Sequence, residues 1–233
     1  EQNVLIFLYK AYPNLYHTSL FQKVKPFRYA LRALSLVANI YGFTKLLWNK
    51  HTLLNATFKK HGAPIHFAIR DTNSQFHSIY FDQYATCYEP DVTGALDLFL
   101  ERDSVFLDIG SNWGHHAFNV AINKGAKIIV FEPNPYVFSD ILRIANDLGV
   151  AHVIESYNVA LSDKVGTLQL EQNDFESGIA SIDPSFRNSA TSDKYLNKLR
   201  SALSLPTISY TVETKTLDSF AFPRIDLIKI DAE

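Results

Sequence analysis

A glycine-containing loop and two strand-terminal acids carry the chemistry legible in this chain. Residues Val105–Gly114 read VFLDIGSNWG. An apolar run enters Asp108, and Gly110, Asn112 and Gly114 then alternate with other residues. A helix-like apolar pattern follows at Ala117, Phe118, Val120 and Ala121. This order predicts a buried strand, a tight loop and a helix. Small residues in such a turn let the backbone approach a nucleotide-type ligand, and the helix start offers free N–H groups. The plainer alternative is a strand–turn–helix that needs glycine only for its turn. KIIVFEP, Lys127–Pro133, is a second apolar strand, and Glu132 at its end lies 22 residues beyond Gly110. An acid about 20 residues past the loop of a βαβ unit reaches ribose hydroxyls.

The rest of the chain must position these groups. With 233 residues it can bury a sizeable core as one domain with appendages. Hydrophobic residues make up 47% and charged residues 20%, which suits a globular protein and excludes a disordered one. Cys87 is the sole cysteine, so no intrachain disulfide and no cysteine-based metal site are expected. No metal ligand set is assigned. A reducing, cytoplasmic location fits this usage. The chain has no methionine and stops at Glu233 just after a strand, so it reads as a piece of a longer protein.

Charge is unevenly placed. Residues 1–60 hold nine Lys or Arg against one acid, Glu1, and the remainder is acidic. Phe27, Ala30, Leu31, Leu34, Val37, Ala38 and Tyr41 recur at helical spacing, and a second helix is expected from about Thr44 to Lys60. We read residues 1–62 as a basic helical cap and residues 63–233 as the main domain. The functional alternative for the cap is peripheral contact with a membrane surface or an anionic substrate carrier. Its longest charge-free run, Ala33–Thr44, is too short to span a bilayer. Nucleic-acid binding is not expected, because no recognisable module accompanies the basic segment.

Pro64–Arg70 and Gln75–Tyr80 alternate apolar and polar residues about a DTNS turn and predict a β-hairpin. Asp91 or Thr93 could cap a helix whose apolar positions are Ala95, Leu96, Phe99 and Leu100. Asn134 and Pro135 read as the cap and first turn of another helix, with Val137, Phe138, Ile141, Leu142, Ala145 and Leu148 as its buried stripe. His152–Asp163 predicts the third strand and its exit, Val165–Leu170 a short outer strand, and Ile208–Leu217 a further strand. Residues 171–206 are polar and Ser-rich, with a short helical pattern at Tyr195–Leu203. Ile225–Glu233, IDLIKIDAE, is a continuous apolar strand ending in acids, which suits the middle of a parallel sheet.

A nicotinamide or flavin fingerprint would read G-x-G-x-x-G. Here Asn112 and His115 occupy the second and third glycine places, so only Gly110 fits. Asp108-x-Gly110-x-Asn112-x-Gly114 instead resembles the first motif of class I methyltransferases. YEPDVTGALD, DIGSNWG, FEPNP, ALSDKVGTLQL, TLDSF and IDLIKIDAE then occur in the order seen in FkbM-family methyltransferases, over roughly residues 61–233. The resemblance implies an α/β, Rossmann-like class I sheet, here truncated after its fourth strand. It implies S-adenosyl-L-methionine as cofactor and O-methylation of a hydroxyl on a glycan, a sugar or a secondary metabolite. The alternatives are a dinucleotide-dependent oxidoreductase using NAD and a catalytically inactive binding module that keeps the fold.

The same resemblance assigns cofactor contacts. Asp108, Gly110, Asn112 and Gly114 would lie against the methionine part, and Glu132 would hold the ribose. Asn134 belongs to the motif that follows, Ala160 lies where this fold presents the third strand to adenine, and Glu89 sits in a motif that closes over the cofactor. Lys229, Asp231 and Glu233 are spaced by two and share one strand face. Asp231 is the first candidate for acceptor positioning or proton acceptance, and Glu233 the second. The equal alternative is that Lys229 and Asp231 pair with buried neighbours. His115 and His116 point apart as successive helix residues, so they make a poor metal pair and are expected to be packed or solvated.

Overall fold

The computed structural model describes residues 53–60, 63–70, 89–173 and 207–232. Four parallel strands position the site. They are β3 (Val105–Ile109), β4 (Lys127–Phe131), β5 (Ile154–Tyr157) and β9 (Leu227–Ile230), in the order β5-β4-β3-β9. Helix α2 (His115–Asn123) connects β3 to β4, and α3 (Pro135–Asp147) leads from β4 towards β5. This is the expected Rossmann-like arrangement. The chain runs one way from β3 to β5 and returns to the other side of β3 as β9, so the order reverses between β3 and β9.

The apolar runs of β3 and β4 are nearly continuous because these central strands are covered on both faces. Strand β9, expected in the middle of a sheet, is an edge strand among the described residues, with Ile228 43% and Ile230 71% exposed. Phe106, Ile128 and Val130 face one core with Ala117 and Phe118 of α2 and Ile141 and Ile144 of α3. Leu107, Ile109, Ile129 and Phe131 face the other, against Tyr157, Leu217, Phe220 and Phe222. There the Phe131 ring stacks on Tyr157 at 5.0 Å and meets Phe220 edge-on at 5.0 Å.

Asn134 caps α3 as expected, its side chain accepting from the N–H groups of Tyr136 at 3.0 Å and Val137 at 3.4 Å. The buried stripe runs through Val137, Ile141, Ile144 and Ala145, whereas Leu142, expected inside, is 45% exposed. Helix α1 (Pro90–Phe99) starts at Pro90 behind Glu89 and uses neither Asp91 nor Thr93 as its cap. Leu96 and Leu100 are buried, but Ala95 and Phe99 lie on the exposed side.

One expectation is corrected here. Leu53–Lys60, placed within a helix by its sequence pattern, is strand β1. It pairs antiparallel with β2 (Ala63–Arg70), from Lys60↔Ala63 to Leu53↔Arg70. β2 thus pairs with the upstream segment; the second arm of the expected hairpin, Gln75–Tyr80, lies outside the described residues. A strand partner with Phe67 and Ile69 facing the core overrides a weak helical preference. The first expected helix, residues 61–62, Cys87 and the Tyr195–Leu203 pattern also lie outside the described residues.

The expected third strand divides. Ala151–Val153 is a 3-10 turn and β5 ends at Tyr157. The chain then leaves the main sheet as β6 (Ala160–Leu161), which pairs parallel with β8 (Thr207–Lys215). The outer strand β7 (Gly166–Asn173) pairs antiparallel with β8 and completes a three-stranded sheet.

The β1–β2 hairpin is fastened to α3 by charge. The Asp140 carboxylate is fully buried, with Arg143 at 2.5 Å and Arg70 at 3.5 Å from its Oδ1. Arg70 also lies 4.1 Å over the Tyr136 ring and donates to Ser139 Oγ at 2.9 Å. Burial pushes the Asp140 carboxyl up, opposed by the two guanidinium groups.

Candidate cofactor and acceptor site

The strand-to-helix loop after β3 is held by backbone bonds. Gly110 and Ser111 N–H both donate to the Phe131 carbonyl, at 3.0 and 3.2 Å, and Asp231 N–H donates to the Ile109 carbonyl at 3.0 Å. The ends of β3, β4 and β9 are thereby drawn together. Gly110, Asn112 and Gly114 all have positive φ, at 71°, 47° and 91°. At Gly110 a Cβ would lie 2.0 Å from the Asp231 carbonyl oxygen, so the closest approach is by the protein's own backbone.

Glu132 organises this loop from beneath. Its Oε2 accepts from Asn112 N–H at 2.9 Å, and its Oε1 accepts from Asn134 N–H at 2.8 Å. Burial pushes its carboxyl up to about 7, a rise opposed by the two amide bonds and by Lys229 and reinforced by Asp108. Asn158 extends the arrangement by donating to the Glu132 carbonyl at 2.7 Å and the Pro133 carbonyl at 3.0 Å. The acid expected to meet ribose therefore already holds two backbone amides. Each carboxylate oxygen keeps a second lone-pair direction for a hydroxyl donor.

Asp108 and Lys229 are register partners on β3 and β9. Lys229 Nζ lies 3.2 Å from Asp108 Oδ1 and 3.5 Å from Asp231 Oδ2. Asp108 is 1% exposed, and its Oδ2 is buried with no hydrogen-bond partner among the described residues. Asp231 is the open member of the group, with its side chain 56% exposed. Burial lowers the Lys229 ammonium, but Asp108 and Asp231 outweigh it and hold the pKa above the ordinary lysine value.

The histidines are packed. His115 is buried edge-on to Trp113, with ring centroids 5.5 Å apart, and desolvation with the nearby His116 and Lys229 charges lowers its pKa to about 3. His116 Nε2 lies 2.8 Å from Glu89 Oε2, which ties the residue before α1 to the start of α2.

Of the sequence-derived candidates, Asp108, Gly110, Asn112, Glu132, Asn134 and Asp231 come together at the carboxyl ends of β3, β4 and β9. Gly114 begins α2, where a Cβ would meet the Phe118 ring at 2.7 Å. Glu89 is joined instead to His116 at the start of α2. Ala160 stands apart, paired with Thr214 in the three-stranded sheet, and the residue from that segment that touches Glu132 is Asn158. Glu233 lies outside the described residues. The contact between Asn158 and Glu132 was not foreseen; an amide residue directly after the third strand was its only sequence signal. Among the described residues, no group of three or more His, Cys, Asp or Glu is placed to hold a metal ion.

The model of the methyltransferase FkbM domain matches residues 108–233, from the buried acid of β3 to the end of the sequence. Solved structures give shorter likenesses. An RNA methyltransferase from Salinibacter ruber, in complex with S-adenosyl-L-homocysteine, is 25% identical, with 32% of this chain and 50% of that chain covered and a TM-score of 0.30. A SAM-dependent methyltransferase from Geobacter sulfurreducens, in complex with the same compound, is 25% identical over 31% of this chain and 30% of that chain, with a TM-score of 0.28. One from Thiobacillus denitrificans is 23% identical over 33% and 34%, with a TM-score of 0.28. The likeness thus spans half or less of each of these proteins. No curated protein matches the chain.

Proposed function

Since the chain belongs to the FkbM methyltransferase family, we propose that it moves a methyl group from S-adenosyl-L-methionine to a hydroxyl of a glycan, a sugar or a secondary metabolite. The observation that carries the reading is the family match over residues 108–233, which takes in the loop, Glu132 and the Lys229–Asp231 strand end.

The residues present fit such a cofactor. Asp108 Oδ2 is a buried carboxylate oxygen without a partner among the described residues, which suits an ammonium or sulfonium cation. Glu132 retains lone-pair capacity for ribose hydroxyls while its amide bonds fix the loop. Asn112 and Asn134 are held on either side of it. When bound, S-adenosylmethionine supplies an electrophilic methyl group on a sulfonium sulfur.

The protein's part is positioning and proton removal. Ligands of open α/β sheets lie beyond the carboxyl ends of the strands, where the order reverses, and here that point lies between Asp108 and Asp231. Asp231 is exposed there and would take the proton of the acceptor hydroxyl, whose oxygen would bond to the methyl carbon as the carbon–sulfur bond breaks and the thioether leaves. Lys229 steadies the Asp231 carboxylate and stays protonated, so it does not act as the base.

Among the described residues no helix is long and apolar enough to cross a membrane. The reading places the reaction in the cytoplasm, with residues 1–60 either capping the domain or contacting a membrane surface or an anionic carrier.

The test is transfer of labelled methyl groups from S-adenosylmethionine across a panel of glycans, free sugars and hydroxylated metabolites. Label incorporated at oxygen, and lost in Asp231→Asn, is the expected result. Label incorporated only at nitrogen or carbon would overturn the choice of acceptor.

A further inference from the structure

Three acids stand at the crevice end of the sheet, and one lysine acts on all of them. Lys229 lies within 3.2 Å of Asp108 and 3.5 Å of Asp231 and is among the charges that lower the Glu132 carboxyl. The same ammonium helps to keep His115 neutral. Its side chain is 14% exposed, so solvent screens it only in part. It is therefore a fixed positive charge set among carboxylates at the point where strand order reverses.

Methyl transfer changes the cofactor by one unit of charge. The sulfonium of S-adenosylmethionine is a cation, and the thioether of S-adenosylhomocysteine is neutral. A fixed charge in the crevice acts on that centre in one ligand and not in the other. The carboxylates of Asp108 and Asp231 without a counter-charge would hold the cation tightly, and attraction for a ground-state charge that is lost in the reaction does not speed the reaction.

We infer that Lys229 is a specificity-determining residue that sets the balance between sulfonium substrate and thioether product, by offsetting the carboxylates of Asp108 and Asp231. This rests on the cofactor reading given above. A lysine that merely held strands together would alter both affinities alike.

The experiment is calorimetric titration of the full-length protein with S-adenosylmethionine and with S-adenosylhomocysteine, read as the ratio of the two dissociation constants. Lys229→Met should shift the ratio towards S-adenosylmethionine by about fivefold or more. Asp108→Asn, which leaves the ammonium unopposed there, should shift it towards S-adenosylhomocysteine. The double variant should return close to the wild-type ratio, and Lys229→Arg should keep it. An unchanged ratio in both single variants, even with weaker binding overall, would overturn the inference. If Lys229→Met does not fold because Asp108 is left buried and unpaired, Asp108→Asn and the double variant carry the test, and equal ratios in those two overturn it. Wild-type protein that binds neither ligand would overturn the cofactor reading as well, an outcome distinct from an unchanged ratio.

Discussion

Gly110 and Asp231 meet backbone to backbone: a Cβ on Gly110 would stand 2.0 Å from the Asp231 carbonyl oxygen. The loop glycine is thus required before any ligand arrives. Its φ of 71° adds a second penalty for a side chain. Gly110→Ala should destabilise the ligand-free protein by about 2 kcal/mol or more, from backbone strain and overpacking. Thermal unfolding without cofactor checks this. A variant with unchanged stability but abolished cofactor binding would mean that the glycine only makes room for the ligand.

Glu132 should leave a signature in the pH dependence of stability. Its carboxyl rises from 4.5 to about 7 in the folded protein, chiefly through burial. The folded state therefore keeps this proton where the unfolded state has released it. The resulting stabilisation is full below pH 4.5 and is lost as the pH rises through 7, a change of about 3 kcal/mol. His115, lowered to about 3, works in the opposite sense, so the raw profile mixes the two. The difference between Glu132→Gln and wild type isolates the carboxyl. Denaturant unfolding from pH 5 to pH 8 should show the Gln variant gaining on wild type up to about pH 7 and the difference levelling off above it. A constant difference would remove the buried proton from the account.

Asp140 tests how the hairpin is held. Asp140→Ala leaves Arg70 and Arg143 without their shared carboxylate and should cost about 3–5 kcal/mol. Amide exchange should rise most along Ala63–Arg70, because Arg143 also bonds the Ala68 carbonyl at 3.3 Å. Uniform loss of protection through β3 and β4 would show that the hairpin and the sheet unfold as one unit.

The parts legible in the sequence were those with a strong period or a fixed chemical order. β3 and β4 are apolar apart from Asp108 and Lys127 because both faces are covered, and the glycine loop and Glu132 follow in the order a βαβ unit demands. Of the alternative that Lys229 and Asp231 pair with buried neighbours, the Lys229 half is seen in its contact with buried Asp108 at 3.2 Å, whereas Asp231 stays 56% exposed. Leu53–Lys60 was misread because its strand state comes from pairing with β2, which a local pattern does not record. Phe99 and Leu142 were placed inside on helical spacing, but the faces they occupy have no partner element among the described residues. The hold of Glu132 on two backbone amides was invisible, since it depends on how the loop closes in space.

The central claim is that the loop after β3 and Glu132 form a site for S-adenosylmethionine. Its most direct test is calorimetric titration of wild type and Glu132→Ala with S-adenosylhomocysteine, with NAD as the comparison ligand. The account predicts that wild type binds S-adenosylhomocysteine and not NAD, and that Glu132→Ala, still folded, binds it more weakly by about 1.5–3 kcal/mol. Binding of NAD in preference, or the same S-adenosylhomocysteine affinity in both folded proteins, would contradict it.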